Sequence, residues 1–329
     1  MSGVGSGRSG DSPAVRTVLG DLDPDGLGVC DAHDHLFMRS RLLPGQELDD
    51  VAAAESELRA FASLGGQAVV QWTPHGMGRR RPDLVALSRT TGVHLVAATG
   101  LHQAAHYAPE QLRDLDLAQL FVTELTEPAE SAESAELAEP AESAESAEPA
   151  GPAQPVGRAG LIKVAGGFHG LDRHARWTMT AAAEAHHATG APIAVHHELG
   201  TGALDVLDLL CDRLGVPPHR VILGHLNRFP DLRLHRQAAE SGAYVALDGP
   251  SRANHATDHH LFDTIAALLE AGHAERLLLG GDTTTSAARG TPGMPYLLAT
   301  LRPRLVREFG ADLPDLVFRA NPARALAFA

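Results

Sequence analysis

The sequence predicts an α/β chain folded as a (β/α)8 barrel. Three observations carry that expectation: eight short apolar runs, Ala- and Leu-rich stretches of helical spacing between them, and a near-constant interval from one run to the next. Parallel strands need a crossover, usually a helix, to reach their neighbours. Eight such units imply a closed barrel rather than an open sheet.

The runs are Val29–His35, Ala68–Trp72, His94–Ala98, Leu161–Val164, Ile193–His196, Val221–His225, Tyr244–Leu247 and Leu277–Asp282. Stretches such as Leu204–Leu214 and Ile265–Ala271 supply the helices. One interval is double the others, between the third and fourth runs. It contains residues 124–156, where glutamate recurs every third position among Ala, Ser and Pro. A period of three gives a helix no apolar stripe, and Pro128, Pro140, Pro149, Pro152 and Pro155 break any helix that starts. We therefore expect a disordered insertion between helix 3 and strand 4, at the end of the barrel opposite the active-site face. Residues 1–15, rich in Gly and Ser, read as a disordered leader, and residues 16–329 as the barrel.

Charge and cysteines narrow the function classes. Nine glutamates of the insertion account for most of the excess, and without them the net charge goes from −14 to −5. No basic stripe is present, which argues against a nucleic-acid partner, since neutralising phosphates takes clustered Lys and Arg. No apolar stretch of about 18 residues exists for a membrane span, and the leader lacks the apolar centre of a signal peptide. The two cysteines, Cys30 and Cys211, do not suggest a disulfide framework. A cytoplasmic protein is expected.

The chemistry sits at the ends of the runs. In Asp31-Ala32-His33-Asp34-His35, strand alternation points both histidines to one side, into the barrel mouth. His196, His225 and Asp282 end the fifth, sixth and eighth runs. Imidazole and carboxylate on one rim suit Zn, Mn, Fe or Co. Lys163 ends the fourth strand and points inward, which is costly unless the amine is paired or modified. One answer is a carbamate formed with CO2, whose two oxygens bridge two cations. The other is a lysine that snorkels to solvent or pairs with a rim carboxylate. His75 follows the second strand and His102 the third, while Arg252 follows the seventh. These three are candidate substrate contacts, Arg252 for an anionic group. His186 and His187 are expected on a solvated helix face.

With these residues in view, the chain resembles the phosphotriesterase family of the amidohydrolase superfamily from residue 17 to the end, apart from the insertion. The matching stretches are Thr17-Val18-Leu19-Gly20, His33-Asp34-His35-Leu36-Phe37, Ala97-Ala98-Thr99-Gly100-Leu101, Ile162-Lys163-Val164-Ala165, Val195-His196, Ile222-Leu223-Gly224-His225 and Asn321-Pro322-Ala323-Arg324. The resemblance implies two divalent metals, zinc first, with Mn, Fe or Co as alternatives. His33, His35 and Asp282 would hold the more buried ion and His196 and His225 the more exposed one. Carboxylated Lys163 and a hydroxide would bridge them. The implied reaction is attack of that hydroxide on an ester, with Asp282 moving the proton to the leaving group.

Two departures shape the substrate expectation. Where the family carries an aromatic residue just after the third strand, a Tyr in its lactonases, this chain has His102. Where phosphotriester hydrolases carry an acidic relay residue three positions past the sixth-strand histidine, it has Arg228. The leading expectation is therefore a small-molecule lactone or carboxylic ester, with phosphotriester hydrolysis as the alternative. A metal-dependent deoxyribonuclease is disfavoured because those barrels use Glu at the place of Lys163. A non-catalytic metal-binding protein is disfavoured because all six ligands are present. The family is often dimeric, which leaves a homodimer open.

Overall fold

A computed structural model describes residues 12–129, 157–250 and 255–328. Its centre is an eight-stranded parallel sheet of β3 (Cys30–Asp34), β4 (Ala68–Gln71), β5 (His94–Thr99), β6 (Ala159–Ala165), β7 (Ile193–His196), β8 (Val221–Gly224), β9 (Tyr244–Asp248) and β10 (Leu277–Gly280). Neighbours pair in sequence order. The first and last strands meet where the Asp282 N–H donates to the His33 carbonyl at 3.0 Å. A Cβ at Gly280 would lie 2.5 Å from that same carbonyl oxygen, so only glycine lets the two strands approach this closely. The predicted barrel and all eight predicted strands are present.

Helices α1 (Val51–Ser63), α2 (Arg81–Thr91), α3 (Leu117–Thr126), α4 (Arg173–Thr189), α5 (Ala203–Leu207), α6 (Leu232–Glu240) and α7 (Leu261–Glu270) follow the first seven barrel strands. α5 runs on through a π-helical turn, Asp208–Arg213, so the predicted 204–214 helix is continuous but unevenly wound. After β10 come α8 (Arg302–Phe309), α9 (Asp312–Asp315) and α10 (Asn321–Leu326). Asp50, Asp116, Asp172 and Asp231 accept backbone N–H groups at the starts of α1, α3, α4 and α6, which satisfies donors the helix leaves open. Among the described residues, no helix is long and apolar enough to cross a membrane.

Strand alternation divides the core in two. Val70, Val96, Leu161, Ala194, Ile222, Ala246 and Leu278 fill the barrel interior. Their neighbours Val69, Leu95, Ile162, Ile193, Val221, Val245 and Leu277 pack outward against the helices. Lys163 shares parity with Leu161, and His196 with Ala194, so both face inward. His33 breaks the rule, because Ala32 beside it is also interior. The β3–β4 register shifts between Asp31 and Asp34, and this irregularity turns His33 into the barrel.

Two predicted boundaries and one predicted exposure need correction. The leader was expected to reach residue 15, but Ala14–Thr17 is strand β1, paired with β2 (Gly20–Leu22) and with β11 (Ala327–Phe328) in a small antiparallel sheet. Residues 1–11 lie outside the described residues. The insertion was expected to begin at 124, but Glu124–Thr126 complete α3. Its remaining length, 130–156, lies outside the described residues. His186 is buried rather than solvated, its ring bonded to the Ala191 carbonyl at 2.7 Å.

The ends of the insertion touch: a Cβ at Gly157 would lie 2.6 Å from the Ala129 side chain. They meet next to the start of β6, across the barrel from the catalytic rim. Replacing residues 130–156 by a short Gly/Ser linker should therefore leave the melting temperature within about 4 °C of the intact chain. A loss of about 10 °C or more by calorimetry would show that the segment packs on the barrel.

Candidate metal centre

The sequence-predicted ligands come together. His33, His35, Lys163, His196, His225 and Asp282 line one cavity of about 440 Å³ at the C-terminal rim. Asp282 is its hub. Its Oδ1 lies 3.5 Å from His33 Nε2 and 3.7 Å from His35 Nε2, and its Oδ2 lies 3.6 Å from His225 Nδ1. His225 and Asp282 follow their strands with left-handed backbones, φ 67° and 52°. Non-glycine residues held there are strained, and such strain collects where geometry serves a site.

Lys163 is 2 % exposed and has no hydrogen bond or ion pair among the described residues. Burial pulls its amine down to about 7, only partly offset by the charge of Asp282. Gly100 fixes the backbone here: at φ +103° it packs so tightly that a Cβ would fall on the Lys163 carbonyl oxygen. Burial raises the Asp282 carboxyl above its ordinary range, although His225 opposes that shift.

Several supporting groups were not anticipated. His35 Nδ1 is bonded to Thr73 Oγ1 at 2.7 Å, and that hydroxyl donates to the Phe37 carbonyl. The His35 Nδ1–H therefore donates and Nε2 is left as a lone pair facing Asp282. Asp248, at the end of β9, accepts from His225 Nδ1 at 2.7 Å. Its other oxygen lies 3.3 Å from His33 Nδ1, poorly aligned for a hydrogen bond. Burial opposes its charge, yet His225 and Arg228 hold the Asp248 carboxyl well below the usual range. A carboxylate at a strand's C-terminal end is the same signal that marked Asp282, so Asp248 was findable. Glu198 was not. It lies in the loop after β7 and accepts from His196 Nε2 at 3.3 Å. That hydrogen bond, more than anything else, lowers its pKa to about 2.

These contacts fit a cation. The His196 and His225 rings each face a carboxylate with one nitrogen. Their other nitrogens, Nδ1 and Nε2, face each other at 2.8 Å. Two lone pairs that close share a proton, and a cation held by both nitrogens would replace it with the two rings moved apart. Among the described residues, two overlapping groups bring three ligand atoms within 4.8 Å of one another: His33, His35 and Asp282, and His33, His225 and Asp248.

The substrate candidates separate. His102 lines the cavity, with its ring 4.6 Å from His196 and 4.2 Å from His106. Its Nδ1 accepts the Gln103 N–H at 2.7 Å, so Nε2 carries the proton. Burial holds it well below its ordinary pKa, so it is a neutral donor. His75 does not line the cavity. It is turned to Glu124, 2.9 Å away, in a buried cluster with Arg79. Arg252 lies outside the described residues. Arg228 is buried, bonded to Asp248 at 3.2 Å and to Asp258 at 3.0 Å.

Imidazoles, a lysine and a carboxylate converging on the rim of a parallel eight-stranded barrel define a metal-dependent hydrolase of ester bonds. The chain belongs to the phosphotriesterase family, whose model matches residues 13–135 and 151–326 and whose members are binuclear metal-dependent hydrolases. It is 29% identical to the phospho-furanose lactonase of Mycoplasmopsis agalactiae, over 95% of this chain and 91% of the other. It is 28% identical to the phosphotriesterase homology protein of Escherichia coli, over 92% and 98%. The crystal structure of a lactonase from Listeria monocytogenes superposes with a TM-score of 0.81 at 26% identity, covering 96% of this chain and 99% of that one.

Proposed function

We propose that this protein opens a lactone or cleaves a related carboxylic ester, using two divalent metals. His33, His35 and Asp282 hold one ion, and His196 and His225 hold the other. Lys163, carboxylated by CO2, would be a further ligand. The observation that carries this reading is Lys163 itself: a buried amine among the imidazoles, with no hydrogen bond or ion pair among the described residues, its pKa drawn down to about 7 by burial. A neutral amine adds CO2, whereas an ammonium does not. The two cations, zinc before Mn, Fe or Co, supply a water of lowered pKa and polarise the ester oxygen.

The chain's own groups do the rest. Asp282 takes the proton from the attacking water and hands it to the leaving oxygen. His102 donates its Nε2–H to an oxygen of the substrate and orients it. Met38, Leu42, Leu43 and Leu199 form an apolar wall against the rest of the substrate. Arg228 supports the lactone over the phosphotriester. It stands where triester hydrolases place an acidic relay, and it is already engaged by Asp248 and Asp258. The Mycoplasmopsis relatives make furanose lactones, with and without a phosphate, the first substrates to try. Arg252 is the candidate contact for such a phosphate. The substrate is a small molecule, and we place the enzyme in the cytoplasm, with a homodimer as the assembly to test.

Metal removal tests the metal half of this reading. Chelator-stripped protein should lose lactonase activity by about 100-fold or more. Two equivalents of Zn or Mn should restore it, faster with bicarbonate. Full activity in stripped protein would sink the reading.

A further inference from the structure

His196 is the most exposed of the four candidate metal-ligand histidines, and nothing in its own strand fixes its ring. Three observations converge on the residue two positions later. First, the Glu198 carboxylate accepts from His196 Nε2 at 3.3 Å. Second, the same oxygen, Oε2, accepts from Gln103 Nε2 at 3.0 Å, and Gln103 also donates to the Gly166 carbonyl at 2.8 Å. Gln103 thus ties the loops after β5, β6 and β7 together around this one carboxylate. Third, the chain bends sharply to bring Glu198 back over the strand end. Leu199 takes a left-handed conformation, φ 49° and ψ 31°, and Gly200 packs where a Cβ would lie 2.7 Å from the His225 carbonyl oxygen. A leucine held left-handed is strained, so the turn is not the local optimum of the chain.

We propose that Glu198, braced by Gln103, is a positioning residue for His196. By accepting a hydrogen bond from the Nε2–H it fixes the tautomer and leaves Nδ1 as a lone pair aimed at His225 Nε2. Asp248 does the same for His225 from the other side. A histidine that gives its second nitrogen to a carboxylate is a better-oriented and more basic ligand. The exposed metal position would then be built by two histidine–carboxylate pairs of opposite hand, one ligating through Nδ1 and one through Nε2. This inference rests on the binuclear reading above.

The test is Mn(II) titration of chelator-stripped full-length protein, with free Mn read by electron paramagnetic resonance. Wild type, Glu198→Ala, Glu198→Gln and Gln103→Ala would be compared. Glu198→Ala should bind one ion as wild type does and the second on the order of 10- to 100-fold more weakly. Glu198→Gln, which keeps an acceptor, should recover part of the loss, and Gln103→Ala should lose less than Glu198→Ala. Stripped variants should melt with stripped wild type, because a merely structural role would show there. If Glu198→Ala binds two ions with wild-type affinity, the inference is overturned while the function stands. A raised KM with unchanged metal affinity overturns it too and makes Glu198 a substrate contact. Wild type that takes up fewer than two ions overturns the proposed function and the inference together.

Discussion

Replacing Lys163 by alanine is expected to lower kcat/KM on the best ester substrate by at least about 1,000-fold, or about 4 kcal/mol of transition-state stabilisation. The loss comes from two sources. In the proposed centre a protein ligand would be gone, and metal affinity would suffer with it. The removed group is also the one whose burial makes no sense alone: an amine 2 % exposed, with Asp282 as its nearby charge. For that reason the same change should not harm the metal-free fold. Stripped Lys163→Ala should melt at or above stripped wild type, since a buried amine with no ion pair among the described residues has been taken out. Steady-state kinetics and calorimetry together check this. Lost activity accompanied by an unfolded protein would mean that Lys163 serves packing instead.

The second large effect lies outside the site. Glu124→Ala should destabilise the protein by about 3–5 kcal/mol, because it leaves the buried Arg79 charge without its carboxylate. The Arg79 guanidinium reaches both Glu124 oxygens, with Nη1 at 2.7 Å from Oε2, and it also donates to the Ala98 carbonyl at 3.1 Å. Thr99 and His75 complete the cluster. Burial works to raise the Glu124 carboxyl, but Arg79 holds it well below the usual carboxylate range. A depressed folded pKa stabilises fully above the unfolded value, near about 4.3, and that contribution fades as pH falls through the folded value. The gap between wild type and Glu124→Ala in urea melts should therefore be widest above about pH 5 and shrink on acidification. A gap that grows as pH falls would contradict the ion-pair account.

Glu124 also shows where sequence reading stops. In the chain it is the first of nine evenly spaced glutamates, and nothing local separates it from the others. Its identity as a core residue depends on Arg79, 45 positions earlier, which only the fold brings near. The candidate metal ligands were legible for the opposite reason. Each ends a strand of a regular βα repeat, and alternation alone points Lys163 and His196 inward. His33 reached the expected place by a different route, through the register shift in β3 that alternation does not foresee. Gln103, Glu198 and Thr73 act from loops, whose paths follow from tertiary contacts rather than from periodicity. The sheet of β1, β2 and β11 escaped because its strands are two to four residues long and join the two ends of the chain. His75 looked like a pocket residue from its place after β4, and the Glu124 carboxylate drew it away.

The most direct test of the central claim is kcat/KM measured on a lactone panel and a phosphotriester panel. The protein would be purified with bicarbonate and reconstituted with Zn or Mn, with Lys163→Ala as the blank. We predict that lactones win by at least about 100-fold, since Arg228 replaces the acidic relay that triester turnover uses. Phosphotriesters turned over as fast or faster, with the blank inactive on both, would contradict the lactone account and leave a phosphotriester hydrolase in its place.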